Sequence, residues 1–438
     1  MEKDSELMEK IVSLCKRRGF IYPGSDIYGG LAGTFDYGHF GVALKDNIKN
    51  SWKKKFVKSR KDMFEVDAAI LMNGNVWKTT GHVDGFSDPL VECEKCHKRF
   101  RADQLEDKTK CPDCGGAFGE ERQFNMMFET KVGAVEDSSS TSYLRPETAQ
   151  GMFVNFKNIQ DSMHPKLPFG MAQIGKAFRN EITPRDFVFR QREFEQMEIE
   201  YFIRPEMWEA EFNYWKDEMV EWMTSLGIDM NKIHEIEVAE SDRAFYSKRT
   251  VDFEFDFPFG QKELYGLAYR TDYDLSAHAK ATGESLEYFD EENKEKFIPH
   301  VIEPSFGLDR TVLALLTSAY QEAENDGEVR SYLKLRPSIA PNLACVSPLL
   351  KNKENLVHEA NSVYANLKQT FGNIAWDDNG NIGKRYRRQD EIGTPYCIVV
   401  DFDSLEDGTV TVRDRDSGTQ VRMHKDEVEQ FLRDAIES

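Results

Sequence analysis

The chain has 438 residues, a net charge of -20 and a hydrophobic fraction of 40%. This length exceeds what one hydrophobic core usually supports, so two or three domains are expected. The charged first residues and the lack of a long apolar stretch exclude a secreted or membrane-spanning protein and predict a cytoplasmic one without a membrane partner. The acidic total argues against nucleic-acid binding, but basic clusters at 45–61 and 384–388 leave two local surfaces for it.

The N-terminal part alternates helical spacing with glycine-rich turns. Apolar side chains recur at helical spacing from Ser5 to Arg17, and Gly19 then ends the predicted helix. Glycines punctuate the chain up to Gly41, after which helical spacing resumes from Val42 to Phe56 beneath a run of lysines. Either basic cluster is also compatible with an ordinary solvated surface.

Four of the seven cysteines form two close pairs. Cys93 and Cys96 are separated from Cys111 and Cys114 by fourteen residues, a spacing typical of a tetrahedral zinc site. Because four thiolates close the coordination shell, the pattern predicts structural Zn²⁺ in an insertion at about 90–118. Four reduced cysteines without metal are the alternative.

Polar side chains dominate a predicted pair of strands near the middle of the chain. The first strand leads into Phe178-Arg179-Asn180-Glu181, and the second runs from Phe189 to Glu198. Because side chains alternate along a strand, one face of the second strand is predicted to carry Arg190, Arg192, Phe194, Gln196 and Glu198. Such a face offers cations for phosphates, a ring for a base and a carboxylate, although a merely solvated face is the alternative.

A second signal lies further along the chain. Glu303-Pro304-Ser305-Phe306-Gly307-Leu308-Asp309-Arg310 precedes the apolar run from Thr311 to Leu316, which predicts a strand entering a buried helix. The intervening segment from Met207 to Leu226 has helical spacing typical of packing. The polar segment from Gln321 to Arg330 is predicted to be a linker, and a small domain of mixed strands and helices follows Pro337.

With Arg179 after one strand and Arg310 opening a helix, the chain resembles class II aminoacyl-tRNA synthetases, whose motifs 2 and 3 carry these arginines. Three segments, 144–151, 194–198 and 382–395, resemble the dimeric glycyl-tRNA synthetases, and the resemblance spans nearly the whole chain. It implies an α+β fold, in which a class II antiparallel sheet flanked by helices precedes a C-terminal α/β anticodon-binding domain. The implied bounds are 1–330 for the catalytic domain and 337–438 for the anticodon-binding domain. Within the catalytic domain, the resemblance implies motif 1 at about 38–65, the zinc-binding insertion at about 90–118, motif 2 at about 175–202, a helical insertion at about 205–250 and motif 3 at about 300–320.

The resemblance also implies the reaction and the partners. Glycine and ATP would form glycyl-adenylate and pyrophosphate, with Mg²⁺ accompanying ATP, and glycine would then pass to the 3' end of tRNA(Gly) on a homodimeric enzyme. Arg179 and Arg310 are the implied catalytic residues, with Arg179 at the α-phosphate, Arg190 and Arg192 at the distal phosphates, Phe194 and Arg310 around adenine, and Glu263 at ATP and Mg²⁺. The full implied ATP-binding set is Arg179, Asn180, Glu181, Phe189, Arg190, Gln191, Arg192, Glu193, Phe194, Glu263, Leu264, Gly307, Leu308, Asp309 and Arg310.

Glycine has no side chain to contact, so its selection must rest on exclusion of larger amino acids. By resemblance, Glu147, Glu198 and Glu303 attract the ammonium group, and Ser305 leaves no room for a β-substituent. The implied glycine-binding set is Arg101, Glu147, Phe194, Glu195, Gln196, Met197, Glu198, Glu303, Pro304, Ser305, Phe306 and Gly307. Structural ion pairing is the alternative role for each glutamate.

Two positions depart from the family pattern. His39-Phe40 stands where these enzymes commonly have Pro-Leu, and Asp309 stands where class II motif 3 more often has Glu. A synthetase for alanine, serine or proline, and a catalytically silent paralogue that binds nucleic acid or serves a polymerase, are the competing hypotheses. The glutamates favour glycine, and the retained motif arginines argue against a silent protein.

Overall fold

A seven-stranded sheet forms the centre of the N-terminal part, and a five-stranded sheet forms the centre of the C-terminal part. The computed structural model describes residues 2–105, 107–134, 140–244, 246–325 and 328–437. Within these ranges, no helix combines the length and apolar character that crossing a bilayer requires. The predicted α+β class is confirmed.

The helices of the described residues are α1 (Glu2–Arg18), α2 (His39–Lys53), α3 (Gly74–Thr79), α4 (His82–Gly85), α5 (Ala149–Phe153), α6 (Phe156–Met163), α7 (Trp208–Leu226), α8 (Tyr273–Thr282), α9 (Leu308–Ala319), α10 (Glu354–Phe371), α11 (Ile382–Ile392), α12 (Phe402–Asp407) and α13 (Val428–Glu437). The strands are β1 (Ile21–Pro23), β2 (Phe35–Tyr37), β3 (Met63–Glu65), β4 (Ser87–Glu92), β5 (Arg99–Arg101), β6 (Arg122–Asn125), β7 (Phe128–Lys131), β8 (Thr141–Leu144), β9 (Phe169–Phe178), β10 (Glu193–Ile203), β11 (Ile233–Glu237), β12 (Arg249–Phe257), β13 (Gly260–Thr271), β14 (Tyr288–Asp290), β15 (Glu295–Phe297), β16 (His300–Gly307), β17 (Tyr320–Asn325), β18 (Glu328–Leu333), β19 (Ala344–Pro348), β20 (Ile374–Trp376), β21 (Tyr396–Val400), β22 (Thr409–Asp414) and β23 (Gln420–His424).

The large sheet has the order β11-β12-β13-β16-β10-β9-β3, and every neighbouring pair is antiparallel except β3 with β9. Alternation along its strands sends apolar side chains to one face, as in β12, where every second residue is buried. β10 lies between β9 and β16, with Glu198 opposite both Gln173 and Ser305. The two sequence signals therefore become neighbouring strands of one sheet.

Aromatic side chains fix the helices on the apolar face of this sheet. The rings of Phe56 and Trp222 lie 5.3 Å and 5.2 Å from the ring of Phe306 on β16. These rings connect the end of the α2 region and helix α7 to the strand that leads into α9. On the opposite side, Phe153 of α5 packs with Phe202 and Leu275 in a separate core. The sheet is thus held between two layers of helices, as predicted.

The C-terminal sheet has the order β20-β19-β21-β22-β23. β19 pairs in parallel with β20 and β21, whereas the remaining pairs are antiparallel. Buried side chains of α10 and α13 share its core. The predicted small domain of mixed strands is confirmed.

The predicted linker from Gln321 to Arg330 is wrong. This segment belongs to the antiparallel hairpin of β17 and β18. The Arg330 Nε atom donates a 2.8 Å hydrogen bond to Asp390 on α11, so the hairpin contacts the C-terminal domain. A polar two-stranded ribbon lacks a buried apolar face, and its sequence therefore resembles that of a linker.

Candidate active site

A cavity of about 490 Å³ is lined by strands of the large sheet and by the start of α9. It brings together most of the predicted ATP and glycine residues, namely Arg101, Glu147, Arg179, Glu181, Phe189, Arg190, Gln191, Phe194, Glu195, Gln196, Glu198, Glu263, Leu264, Glu303, Ser305, Gly307, Asp309 and Arg310. The other predicted residues, which do not line it, are Asn180, Arg192, Glu193, Met197, Pro304, Phe306 and Leu308. Met197, Phe306 and Leu308 lie in the hydrophobic core instead.

Arg179 contacts two aromatic rings in this cavity. It follows directly after β9, and its Nε atom donates a 3.1 Å hydrogen bond to the Pro146 carbonyl. Its guanidinium carbon lies 5.3 Å from the ring centroids of both Phe86 and Phe194. These contacts hold a planar cation in the cavity.

The predicted alternation of Arg190, Arg192 and Phe194 along one strand is wrong. The strand begins only at Glu193, because a 3-10 turn at Phe187–Phe189 precedes it, with Asp186 in the left-handed conformation. Arg190 lines the cavity 3.5 Å from a carboxylate oxygen of Glu181. Arg192 points elsewhere and donates to the carbonyls of Ala32 and Glu181 at 2.7 Å and 3.1 Å.

Arg310, in the first turn of α9, also lines the cavity. Its Nη1 atom donates to the Glu263 carbonyl at 3.0 Å and lies 3.2 Å from the Glu263 carboxylate. Its guanidinium carbon lies 4.4 Å from the ring centroid of Phe189. The stacking of adenine between Phe194 and Arg310 stays a prediction, and Phe189 is an additional ring at this end.

Two predicted ligand-binding carboxylates are held by helix α2. Asp309 accepts hydrogen bonds from Tyr37 at 2.5 Å, from Lys45 at 3.1 Å and from the backbone N–H of Glu195 at 2.8 Å. Glu195 itself pairs with Lys45 and with Lys49. Asp309 has a shorter side chain than the Glu of the family pattern, and its hydrogen bonds connect the predicted motif 3 to the predicted motifs 1 and 2.

The other end of the cavity is acidic. Glu198 accepts hydrogen bonds from the backbone and hydroxyl of Thr148, from Gln196 at 2.7 Å and from Ser305 at 2.8 Å. Glu147 accepts from Gln150 at 3.1 Å and lies 3.4 Å from His82. Burial opposes ionisation of Glu147, but His82 and Arg270 hold its pKa well below the ordinary value.

Arg270 on β13 is a functional candidate that sequence reasoning missed. It is fully buried and donates to Glu303 at 2.7 Å and to both oxygens of Asp274 at 2.8 Å and 2.9 Å. Its guanidinium carbon lies 3.7 Å from the ring centroid of Tyr246. The available signal was a lone arginine in the apolar strand 264–270, four residues before an aspartate.

Arg101 contacts a different part of the cavity from the predicted glutamates. Its ion-pair partners are Asp88 at 2.6 Å and Asp103 at 2.7 Å. Its nearest charges in the cavity include Glu181 and Arg190. Phe86 and Asp88 lie just before the cysteine-bearing segment and Arg101 lies within it; of these three residues, the family resemblance had implied only Arg101.

The four paired cysteines converge at one point. The sulfur atoms of Cys93, Cys96, Cys111 and Cys114 all lie within 4.8 Å of one another. Backbone N–H groups, first that of Cys96, lower the pKa of the Cys93 thiol to about 6. Four sulfur donors at this spacing suit tetrahedral zinc, so the site fits the predicted metal.

Two arginines of the basic segment 384–388 make hydrogen bonds within the protein. Arg385 is buried and donates to the carbonyls of Pro348 and Gly380. Arg388 makes two hydrogen bonds to Asp377, at 2.7 Å and 2.8 Å. The predicted basic surface at 384–388 is therefore smaller than its sequence indicates.

Comparison with known proteins identifies the fold and the family. Residues 128–319 match the family model described as "tRNA synthetase class II core domain (G, H, P, S and T)", and residues 344–435 match "Anticodon binding domain". Glycine-tRNA ligases of Lachnospira eligens and Clostridium acetobutylicum are 51% and 50% identical, covering 98% and 99% of this chain and 98% and 100% of their own lengths. That of Thermobifida fusca is 48% identical over 100% of this chain and 99% of its own length.

The chain belongs to the glycine-tRNA ligase family. Membership confirms the predicted class II fold and the predicted enzyme class, an ATP-dependent ligase that aminoacylates tRNA with glycine. The two competing hypotheses, a synthetase for another small amino acid and a catalytically silent paralogue, are therefore not needed to explain the sequence. Within this family, ATP, glycine and tRNA are the substrates, and the C-terminal domain is the anticodon-binding one.

Proposed function

We propose that glycine and ATP react in the cavity between the glutamates and the arginines, with each substrate at its own end. One observation carries this assignment: Glu147, Glu198 and Glu303 line the same cavity as Arg179, Arg190 and Arg310. An ammonium group favours the acidic end, and a triphosphate favours the cationic end. The reacting carboxylate and α-phosphate then meet between them, beside Arg179.

The proposed chemistry is positioning and charge stabilisation. The glycine carboxylate attacks the α-phosphorus and pyrophosphate leaves, so no protein nucleophile or general base is required. Arg179 stabilises the charge that develops on the α-phosphoryl oxygens, and Arg190 binds the leaving group.

Glu263 is the proposed protein ligand for Mg²⁺. Its carboxylate faces the cavity beside Arg310, and carboxylate oxygens with phosphates and water suit this ion. When bound, Mg²⁺ would neutralise part of the phosphate charge.

Selection of glycine over alanine is proposed to rest on the crowded acidic end. Ser305 and Gln196 both donate to one oxygen of Glu198, so they are fixed where a β-carbon would approach. Loss of attraction for one methyl group discriminates by only about 1 to 3 kcal/mol, whereas a fixed wall discriminates more strongly.

Pyrophosphate exchange into ATP tests the assignment. We expect exchange with glycine and none with alanine, serine or proline. Glu303→Gln should raise the glycine KM at least tenfold, because it removes a charge that faces the ammonium, and should leave the ATP KM within twofold. The matched substitution Glu287→Gln alters an exposed glutamate outside the cavity and should change neither constant. A raised ATP KM with an unchanged glycine KM would contradict the placement of glycine at the acidic end of the cavity and ATP at the cationic end.

Three further assignments accompany this proposal. The cysteine cluster binds structural Zn²⁺, because its four sulfurs would close the coordination shell. The enzyme acts in the cytoplasm, where its tRNA substrate is charged. It is a homodimer, because Ile27, Tyr28 and Leu31 are 91%, 87% and 60% exposed on one loop beside α2.

A further inference from the structure

Glu200 is a fully buried carboxyl that none of the roles above uses. It lies two residues after Glu198 on β10 and therefore on the same side of the sheet. The register that pairs Glu198 with Ser305 and Tyr201 with Ile302 places Glu200 opposite Glu303. Such opposed residues have β-carbons about 5 Å apart. Glu200 is 0% exposed, and neither of its carboxylate oxygens has a hydrogen-bond partner among the described residues.

Negative groups outnumber positive ones around Glu200. The charged groups nearest to it are Glu303 on β16, Arg270 on β13, Glu198 on β10 and Asp274 on α8. Glu147 and His82 lie beyond them, and burial lowers the pKa of His278 on α8. Carboxylates this close in a dry site cannot all be ionised, so the cluster must hold protons.

The hydrogen bonds indicate which carboxyls hold them. Glu198 accepts four hydrogen bonds, which favour its ionised form although burial raises its pKa, whereas Glu303 accepts a single one, from Arg270 at 2.7 Å. Glu200 has no such donor. Burial and the neighbouring Glu303 raise the pKa of Glu200 well above its ordinary value. Burial also raises the pKa of Glu303 to about 8, against the opposing effect of Arg270.

We propose that Glu200 is a positioning residue that stays protonated and donates a hydrogen bond to Glu303, and that Glu303 releases one proton to solvent when the glycine ammonium binds. The proposal rests on the glycine site assigned above and adds a coupled proton to it. The Glu303 O–H bond breaks, its electron pair stays on the carboxylate, and the ammonium replaces the lost positive charge. Glu200 thereby stabilises the ionised form of Glu303 that glycine requires.

The sign of the pH dependence follows from this exchange. Below about pH 8, Glu303 is protonated in the empty site, and glycine must displace that proton. The glycine KM should therefore fall about tenfold for each pH unit between pH 6.5 and pH 8 and level off above it. The ATP KM, measured in the same pyrophosphate exchange assay, should not follow this profile.

Two substitutions separate the positioning role from packing. Glu200→Gln keeps a donor and the side-chain shape, so the pH profile should stay within twofold of that of the parent enzyme. Glu200→Met keeps the side-chain length but removes the hydrogen-bond donor. The midpoint of the pH profile of the glycine KM should therefore move to higher pH, and the glycine KM at pH 7 should rise about tenfold. Equal profiles for the parent and Glu200→Met would overturn the positioning role.

A proton count on the unsubstituted enzyme tests the coupling directly. Calorimetric titration with a sulfamoyl analogue of glycyl-adenylate, in buffers of different ionisation enthalpy at pH 7, should report about one proton released per analogue bound. The analogue that carries acetyl instead of glycyl lacks the ammonium and should release none. Binding of the glycyl analogue without proton release would overturn the coupling alone, whereas absence of glycine-dependent exchange would overturn the site assignment itself.

Discussion

At the scale of single residues, the proposed active site depends on side chains that are already held by neighbouring protein groups. Arg179 is the clearest case, because two rings and a backbone carbonyl hold it. A preorganised cation loses little free energy through reorganisation when charge develops on phosphorus. Its planar shape is therefore as important as its charge.

Arg179→Lys tests this point. Lysine keeps the positive charge but cannot form two parallel hydrogen bonds or place a planar group against the rings of Phe86 and Phe194. We expect kcat/KM in pyrophosphate exchange to fall about 100-fold, with most of the loss in kcat. Arg433→Lys, an exposed substitution on α13, is the matched control and should have no effect. A loss confined to the ATP KM would show that Arg179 only binds the ground state.

At the scale of elements, the sequence predicted the strand that enters α9 and the helices around the large sheet, because their periodicity is local. It failed where geometry depends on contacts between distant segments. Asp186 and Phe187 adopt left-handed backbone conformations that periodicity cannot reveal, and Arg192, after this turn, contacts the Ala32 carbonyl and does not line the cavity. Arg270 was missed because its partner Glu303 lies on a neighbouring strand, 33 residues further along the chain.

The cysteine-bearing segment shows how one element can support another. Phe86, beside Arg179, directly precedes its first strand, and its strand β5 supplies Arg101, near Arg190. Its fold depends on four thiols rather than on a large apolar core, so a metal would contribute much of its stability. The metal and the phosphate end of the cavity should therefore be coupled.

Metal removal tests this coupling. The purified enzyme should contain one zinc per chain, and chelation should raise the ATP KM about tenfold while changing the glycine KM much less. Readdition of Zn²⁺ should restore both the ATP KM and the resistance of residues 90–118 to protease. Full loss of zinc with an unchanged ATP KM would contradict the coupling.

At the scale of the whole molecule, charged contacts connect the N-terminal part to the C-terminal domain. Arg330 donates to Asp390, which is buried and also accepts from Arg413 of its own domain, and Arg17 and Arg18 of α1 pair with Glu391. The β17–β18 hairpin and α1 therefore meet the same helix, α11. A family model for anticodon binding matches the domain that contains α11, so these contacts join that domain to the N-terminal part.

The proposed dimer would connect assembly to catalysis through one loop. Ile27, Tyr28 and Leu31 expose apolar surface on the loop whose next residues, Ala32 and Gly33, bind Arg192. A second copy that covers this apolar surface would hold the loop in place. The loop would in turn hold Arg192, which lies in the predicted motif 2. A monomer should consequently bind ATP less well, although its cavity lies within one chain.

Ile27→Asp is the corresponding prediction. A charge at a 91% exposed apolar position should cost a monomer little, but it would be buried without a partner in a dimer. We expect sedimentation velocity to show a dimer for the parent chain and a monomer for the variant, with a fivefold or larger rise in ATP KM (on the order of 1 kcal/mol). Val421→Asp introduces the same charge at an exposed position of β23 and should leave both unchanged. A variant that stays dimeric would exclude this loop from the interface, and a monomer with the parental ATP KM would show that the loop needs no partner to position Arg192.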